Sequence, residues 1–404
     1  MGVDGVDGGR PLRVVFFGSY DTHRPRFRIL RRGLSLSGDS IAECHASVWG
    51  SLEDRSHIRT PIGYLLPAIK WCSALPRLMR AYHALPPHDV VLVPYLGPGD
   101  AVIAKHVARR SRVPVVYDPY VSLYETVIGD RQMAGPRSVT GRAVRMLDVW
   151  AFRAADAILV DTSSHGNLMA EQLDLPMPRR FVVPVGAESE VFTRSPLPPR
   201  SHLHRVLFYG SMIPLHGIET IIRAIRELGD SLTRFTLIGT GQEYAKARAL
   251  AKELSADRSI DWVDRVTYGR LPGEIEQADV CLGIFGGSRK AHSVVPNKVF
   301  QALACGRPVI TADTPAIREW FTDGEDCILV PPGDHRGLAY AIGRVLADST
   351  LQEQLAQKGY ELFTRAFAPT AVGATAHRAL EAVVSGHRPA SPDCPGEQGG
   401  TQER

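Results

Sequence analysis

The sequence predicts an α/β protein of two Rossmann-like, doubly wound parallel-sheet domains that face one another across a cleft. Three observations predict it. Short, continuously apolar runs at residues 12–17, 90–94, 113–117 and 157–160 alternate with helical or loop stretches, the pattern of strands covered on both faces by crossover helices. That rhythm stops once, at residues 193–204, where Ser195-Pro196-Leu197-Pro198-Pro199 piles up proline, and it restarts at Arg205. The length of 404 residues exceeds what one core ordinarily organises and suits two.

In chain order, residues 12–17 form a strand that ends at Gly18-Ser19-Tyr20, and a basic helix follows over 24–33. This is the strand-loop-helix opening of a nucleotide-binding domain, which makes Gly18 a donor-site candidate. Arg24, Arg26 and Arg28 alternate too closely to share one helical face, so one or two of them at most reach the cleft. Residues 60–85 are apolar with Lys70, Arg77 and Arg80 interspersed, and Tyr64, Trp71 and Tyr82 suit either a lipid interface or ordinary packing. Pro61, Pro67 and Pro76 are expected to interrupt any single long helix there. The run Tyr117-Asp118-Pro119-Tyr120-Val121-Ser122-Leu123-Tyr124-Glu125 starts where a strand ends. Parallel sheets present functional side chains at that edge, so Asp118 and Glu125 are candidate cleft carboxylates. A strand over 180–185 closes the first domain.

The second domain repeats the plan, with strands at 205–209, 234–238, 260–263, 280–285 and 309–310, and helices from 217, 243, 336 and 351. The boundaries are 12–192 for the first domain, 193–204 for the linker and 205–366 for the second. A helix over 367–384 is placed to return to the first domain. Residues 1–11 and 385–404, rich in Gly, Pro and charge, are expected to be disordered tails.

The chemistry concentrates in the second domain. Gly210-Ser211-Met212-Ile213-Pro214-Leu215-His216-Gly217 follows its first strand and opens a helix, so backbone amides, Ser211 and His216 can face an anion. Further on, the loop Gly286-Gly287-Ser288-Arg289-Lys290-Ala291-His292-Ser293 carries two adjacent cations, and a short helix starts with Asn297 as its expected cap. Lys298 then falls in the first helical turn, where unpaired amides already carry positive charge. A cation is unfavourable there unless something negative docks on it. A phosphate resolves the conflict.

Composition narrows the partners. A formal net charge of +4 suits an anionic small molecule or an acidic lipid surface and falls short of a nucleic-acid footprint. Cysteines at 44, 72, 281, 305, 327 and 394 form no close pair, so reduced thiols in the cytoplasm are expected rather than a disulfide framework or a zinc site. The N-terminus has no signal-peptide pattern and no run spans a bilayer, which points to a cytoplasmic protein, with peripheral contact at the inner face of the membrane through 60–85. No Asp-x-Asp pair closes an apolar strand, so no metal and no cofactor are expected.

These motifs together resemble the retaining glycosyltransferases of family 4, which have the GT-B fold. The resemblance is carried by Tyr209 to Gly217, by Pro296-Asn297-Lys298-Val299-Phe300-Gln301-Ala302-Leu303-Ala304-Cys305-Gly306-Arg307-Pro308-Val309-Ile310, and by Ile317-Arg318-Glu319 with Leu329-Val330-Pro331-Pro332. It implies a nucleoside-diphosphate sugar as co-substrate and a small-molecule or lipid-linked acceptor. It also implies a leaving diphosphate that assists deprotonation of the acceptor, with Asp118, Lys298 and Gln301 as the catalytic set. Two departures stand out. The family's paired glutamates fall on Ser293 and Gln301, and its basic pair falls on Ser211 and His216, so the grip on the donor passes to Arg289, Lys290 and Lys298, with Asn297 beside them. Those losses also admit a non-catalytic GT-B-fold subunit that supports another transferase, or a nucleotide-sugar epimerase.

Overall fold

The computed structural model describes residues 10–48, 65–95, 97–130, 133–176, 179–199 and 201–386. The first sheet contains β1 (Arg13–Gly18), β2 (Ser40–His45), β3 (Val90–Val93), β4 (Val115–Tyr117), β5 (Ala157–Val160) and β6 (Arg179–Val182). Their order is β2-β1-β3-β4-β5-β6, with every neighbouring pair parallel. The second sheet contains β7 (His204–Tyr209), β8 (Thr233–Ile238), β9 (Ile260–Val263), β10 (Val280–Leu282), β11 (Val309–Ala312) and β12 (Ile328–Val330). It runs β12-β11-β10-β7-β8-β9, again all parallel.

Both sheets are built outward from a central strand, and that decides where ligands go. The strand order reverses between β7 and β10 in the second sheet, so the loops leaving these two strands diverge and open a crevice at their carboxyl ends. Those loops are the 210–217 and 283–296 segments. Strands β3, β4 and β5 are buried on both faces, which explains why they read as continuous apolar runs without alternation.

The helix Pro369–Val384 belongs to the first domain in space although it ends the described chain. It packs on the helix Pro25–Leu36, where Gly33 and Gly373 touch backbone to backbone: a Cβ on Gly373 would lie 2.1 Å from the Gly33 carbonyl. His377 Nδ1 bonds Asp39 at 2.9 Å, and Asp39 in turn accepts the Leu12 amide at 2.9 Å.

Two sequence expectations need correction, the interrupted helix and the Asn297 cap, and the aromatics between them follow the ordinary-packing alternative. Residues 65–83 form one continuous helix, Leu65–His83, with Pro76 inside it. Pro67 sits in the first turn, where a missing amide is harmless, and Pro76 deprives only Cys72, an exposed residue, of its helical donor. Trp71 is turned inward, with its Nε1 donating to Asp100 at 2.6 Å, and Tyr82 is buried; Pro61 and Tyr64 lie outside the described residues. Asn297 is the first helical residue and makes no cap, because Pro296 occupies the capping position. Of the two tails, residues 1–9 and 387–404 lie outside the described residues. Among the described residues no helix is long and apolar enough to cross a membrane.

Gly373→Ala forces the two helices apart. We expect a loss of about 1–3 kcal/mol, the usual range for overpacking, read as a lower thermal midpoint; an unchanged midpoint would show that this contact is loose.

Candidate functional site

On the second-domain side the site starts from two glycines. Gly210 and Gly217 hold φ of +134° and +64°, values that side chains rarely adopt. A Cβ on Gly217 would stand 2.5 Å from the Phe285 carbonyl carbon, so the loop after β7 lies directly on the loop after β10. Across this loop the helix Asn297–Ala304 sends Lys298 back under the sheet edge. Its ammonium nitrogen stands 3.9 Å from the centroid of the Phe208 ring, the residue is 6% exposed, and Nζ has no hydrogen-bond partner among the described residues. Beside it, His216 packs edge-on against Phe208 and its buried Nδ1 is also without a partner.

Lys298 is thus buried beside a half-buried His216, and neither Lys298 Nζ nor His216 Nδ1 has a hydrogen-bond partner among the described residues. Burial pushes Lys298 well below its ordinary lysine value. Burial and then the charge of Lys298 push His216 well below that of an ordinary imidazole. In both, burial works against the charged form. An anion arriving beside them reverses that preference and supplies the missing acceptor.

On the first-domain side β5 is followed by Asp161, and Thr162 caps the helix Ser163–Leu173 by accepting the His165 amide at 3.0 Å. One turn in, His165 is fully buried with Nδ1 2.6 Å from Asp161 and Nε2 3.1 Å from Glu125. Both ring nitrogens face carboxylates, so both must carry hydrogen. Burial opposes that charge, and Asp161 and Glu125 outweigh it and raise the ring above its ordinary range. Glu125 shows the converse: burial would raise it, and His165 with Lys290 hold it below the usual carboxylate range. The sign follows for stability. The His165 contribution is complete below about pH 6.5, its unfolded value, and fades as pH rises through the raised folded value.

The two sides meet in a cavity of about 320 Å³ bordered by Tyr120, Asp161, Gly210, His216, Lys290 and Lys298, among others. Of the residues singled out in the sequence, Gly210, His216, Lys290, Asn297, Lys298 and Gln301 line it together. Others do not. Asp118 is 1% exposed and its two oxygens take the Arg26 Nε at 2.9 Å each, so this carboxylate neutralises a buried arginine and does not face the cleft. Arg289 points outward and pairs with Glu171, because adjacent residues of a tight turn project in different directions and Lys290 takes the inward one. The Ser293 hydroxyl donates to the Arg289 carbonyl at 2.8 Å and its own carbonyl accepts from Thr162 at 2.5 Å; it holds the loop. Gly18, at φ +130°, makes room for Asp100, which accepts from the Ser19 amide at 2.7 Å and from its hydroxyl at 2.8 Å. Ser211 is exposed, and Gly217 faces a separate hollow behind its own loop.

Asp161 and His165 escaped the reading of the sequence. The signal was present, since Asp161 directly follows the 157–160 apolar run and so falls at a strand's carboxyl end.

The lobes are tied by Glu319, which follows the short helix Pro315–Arg318. Its carboxylate accepts the Ser163 amide at 2.7 Å, the Ser164 amide at 2.8 Å and the Ser164 hydroxyl at 2.6 Å. A carboxylate on a helix N-terminus is favoured by both the free amides and the helix dipole.

Comparison with known proteins gives two family matches: residues 26–186 match the model described as glycosyl transferase 4-like domain, and residues 204–348 match glycosyl transferases group 1. The lipopolysaccharide core biosynthesis glycosyltransferase LpsE of Rhizobium meliloti is 26% identical over 167 residues, 41% of this chain and 46% of that protein. The chain therefore spans about half the length of the lipopolysaccharide-core relatives it matches. Among solved structures, sucrose-phosphate synthase from Thermosynechococcus elongatus superposes with a TM-score of 0.65 at 17% identity, over 93% of this chain and 100% of that one. Anabaena HepE in complex with UDP-glucose gives 0.63 at 14% identity, over 92% and 100%. These likenesses show the fold.

Glu319→Ala removes one charged acceptor from three donors. A loss of about 1.5–3 kcal/mol is expected, together with a larger radius of gyration in small-angle scattering as the lobes part; an unchanged radius would mean that other contacts hold the cleft shut.

Proposed function

We propose that this chain, whose two halves match glycosyltransferase family models and whose fold is that of GT-B enzymes, moves a glycosyl group from a nucleoside-diphosphate sugar to an acceptor hydroxyl. By its likeness to the family 4 enzymes we assign retention of the anomeric configuration. The observation that carries the reading is the buried, partnerless Lys298 Nζ beside an equally partnerless His216 nitrogen, at the mouth of the 210–217 loop. A buried basic group without an acceptor is destabilising. It is retained where a ligand supplies the missing charge.

The diphosphate lies between the loop amides and Lys298, with Gln301 one helical turn further along the same helix. As the bond to the sugar breaks, negative charge builds on the leaving diphosphate, and Lys298 and Lys290 stabilise it. Such electrostatic contacts are commonly worth a few kcal/mol of barrier. HepE was solved with UDP-glucose, which supports a nucleotide sugar as the donor class. The orphan cations also favour an enzyme over a shape-retaining partner subunit, which has no use for them.

The acceptor side fits a lipid-linked saccharide at an anionic membrane surface. The neighbouring helices Leu65–His83, Pro98–Ala108 and Val139–Ala154 cover one face of the first sheet, and every exposed charged side chain described on them is basic: Lys70, Arg77, Arg80, Arg142 and Arg153. Val139, Met146 and Trp150 are exposed among them, the mixture that suits a headgroup region.

Two outcomes test this. A panel of UDP, GDP, ADP, CDP and TDP should include one diphosphate that raises the thermal midpoint, and calorimetry of that one in buffers of different ionisation enthalpy should show proton uptake, since an anion beside Lys298 and His216 favours their charged forms. Lys298→Met should abolish the shift while making the ligand-free protein more stable, most of all at low pH, since a depressed lysine penalises the fold increasingly as pH falls. A panel without any binder removes the donor assignment. For the membrane face, cosedimentation with vesicles containing phosphatidylglycerol should exceed that with neutral vesicles and weaken with salt; equal binding to both would refute it.

A further inference from the structure

The cavity draws its charge and its apolar surface from different segments. His216 and Lys298 come from the loop after β7 and the helix Asn297–Ala304. The apolar lining comes from Tyr120 and Val121 of the first lobe and from Val294, Val295 and Pro296, which lead into that helix. Val121, Val294 and Pro296 are only half-buried although the lobes are closed over them, so uncovered apolar surface converges inside the cleft, where it marks a binding wall. The polar groups along the same segments are mostly spent. Asp118 gives both oxygens to Arg26, Glu125 lies between His165 and Lys290, and the Ser293 hydroxyl donates to the Arg289 carbonyl. Asp161 holds His165 through Oδ1. The Tyr120 hydroxyl is 3.4 Å from Asn297 Oδ1, a long contact that a better-placed partner can displace.

The backbone is bent at a cost to hold this wall. The Val121 amide donates to the Pro119 carbonyl at 2.5 Å, closing a three-residue turn around Tyr120, whose φ is +52°. Such a turn with positive φ at its centre is the rare and strained form, and bulky side chains avoid that region. The other non-glycine residues with positive φ among the described residues, Arg112, Asp174 and Ser255, follow helix ends, where this conformation commonly closes a helix. Strain of this kind persists where a site needs it. Here it sends Tyr120 and Val121 into the cavity together.

We propose that the glycosyl group of the donor is a 6-deoxy sugar, whose methyl group packs against Val121 and Val294. The inference rests on the donor reading above. With the diphosphate at Lys298, the sugar extends toward the segments that hold Tyr120, Val121 and Val294. The exocyclic carbon is the group of a hexose that stands out from the ring, so it is the one such a wall reads. A fully hydroxylated hexose would press a hydroxymethyl group onto side chains that offer it no hydrogen bond, and a hydroxyl buried without a partner is penalised. A methyl group at that carbon gains apolar contact and leaves nothing unpaired. The Tyr120 hydroxyl, with Asn297 opposite it, then takes one of the ring hydroxyls and fixes the orientation of the sugar.

The test uses the full chain and calorimetric affinities for matched donors: the glucose and 6-deoxyglucose esters, and the mannose and 6-deoxymannose esters, of whichever nucleoside diphosphate the panel selects. In at least one pair the 6-deoxy donor should bind about 10–100-fold tighter, the discrimination that one such group allows in an apolar pocket. Val294→Thr and Val121→Thr keep the side-chain shape and supply a hydroxyl, so each should shrink that ratio by about threefold or more, the worth of one hydrogen bond. The ratio within one protein is the readout, so a general loss of affinity in a variant does not imitate the effect. Hexose donors bound as tightly as their 6-deoxy partners in both pairs overturn the proposal, as does a ratio that neither substitution moves. A chain that binds none of the diphosphates fails the donor reading first, and the sugar assignment falls with it.

Discussion

Charge balance across a closed seam between two lobes is the constraint on which the site depends. Neither lobe balances its own cleft-facing charges. The first lobe brings Asp161, Glu125 and the bare amides that open the helix Ser163–Leu173, and the second brings Lys290 and Glu319. Glu319 satisfies the amides and Lys290 offsets Glu125, so closing the lobes removes desolvated charge that either would otherwise carry alone. Lys298 and His216 are the remainder. Among the described residues neither Lys298 Nζ nor His216 Nδ1 has a hydrogen-bond partner, and both residues border the cavity.

Much of the sheet architecture exists to deliver these groups to one place. In a parallel sheet every strand ends on the same edge, and at a reversal of strand order the neighbouring loops part. β7 and β10 flank such a reversal, so the 210–217 and 283–296 segments frame the second-lobe half of the cavity, while β5 supplies Asp161 from the facing sheet. Helix Pro369–Val384, through the Gly33–Gly373 contact and the His377–Asp39 bond, ties the end of the described chain to the lobe that began it. The lobes are therefore joined by two crossings of the backbone as well as by the polar seam.

The departures from the family pattern take on a physical meaning in this setting. A chain with Ser211 and His216 at the expected basic positions and Ser293 and Gln301 at the expected glutamates carries its buried basic group on the helix Asn297–Ala304, at Lys298. Gly210 leaves the room this requires, since a Cβ there would come within 3.2 Å of both Lys298 Nζ and His216 Cε1. The second-lobe loop remains short, and Lys298 borders the cavity beside it.

What the sequence determined by itself was the alternation of strands and helices, the proline-marked break between lobes, and the electrostatic anomaly of Lys298, because apolar periodicity and helix-end chemistry are local properties of the chain. Direction and pairing were decided only by the tertiary structure. Asp118 and Asp161 both follow apolar strands and look alike in sequence, yet Arg26, 92 residues away from Asp118, captures the first and leaves the second to border the cavity. Arg289 and Lys290 are adjacent cations, and the turn sends one to Glu171 on the surface and the other to Glu125 in the seam. Which carboxylate is neutralised, and which cation is left waiting for a ligand, depends on neighbours brought together from distant parts of the chain, and no local pattern encodes that.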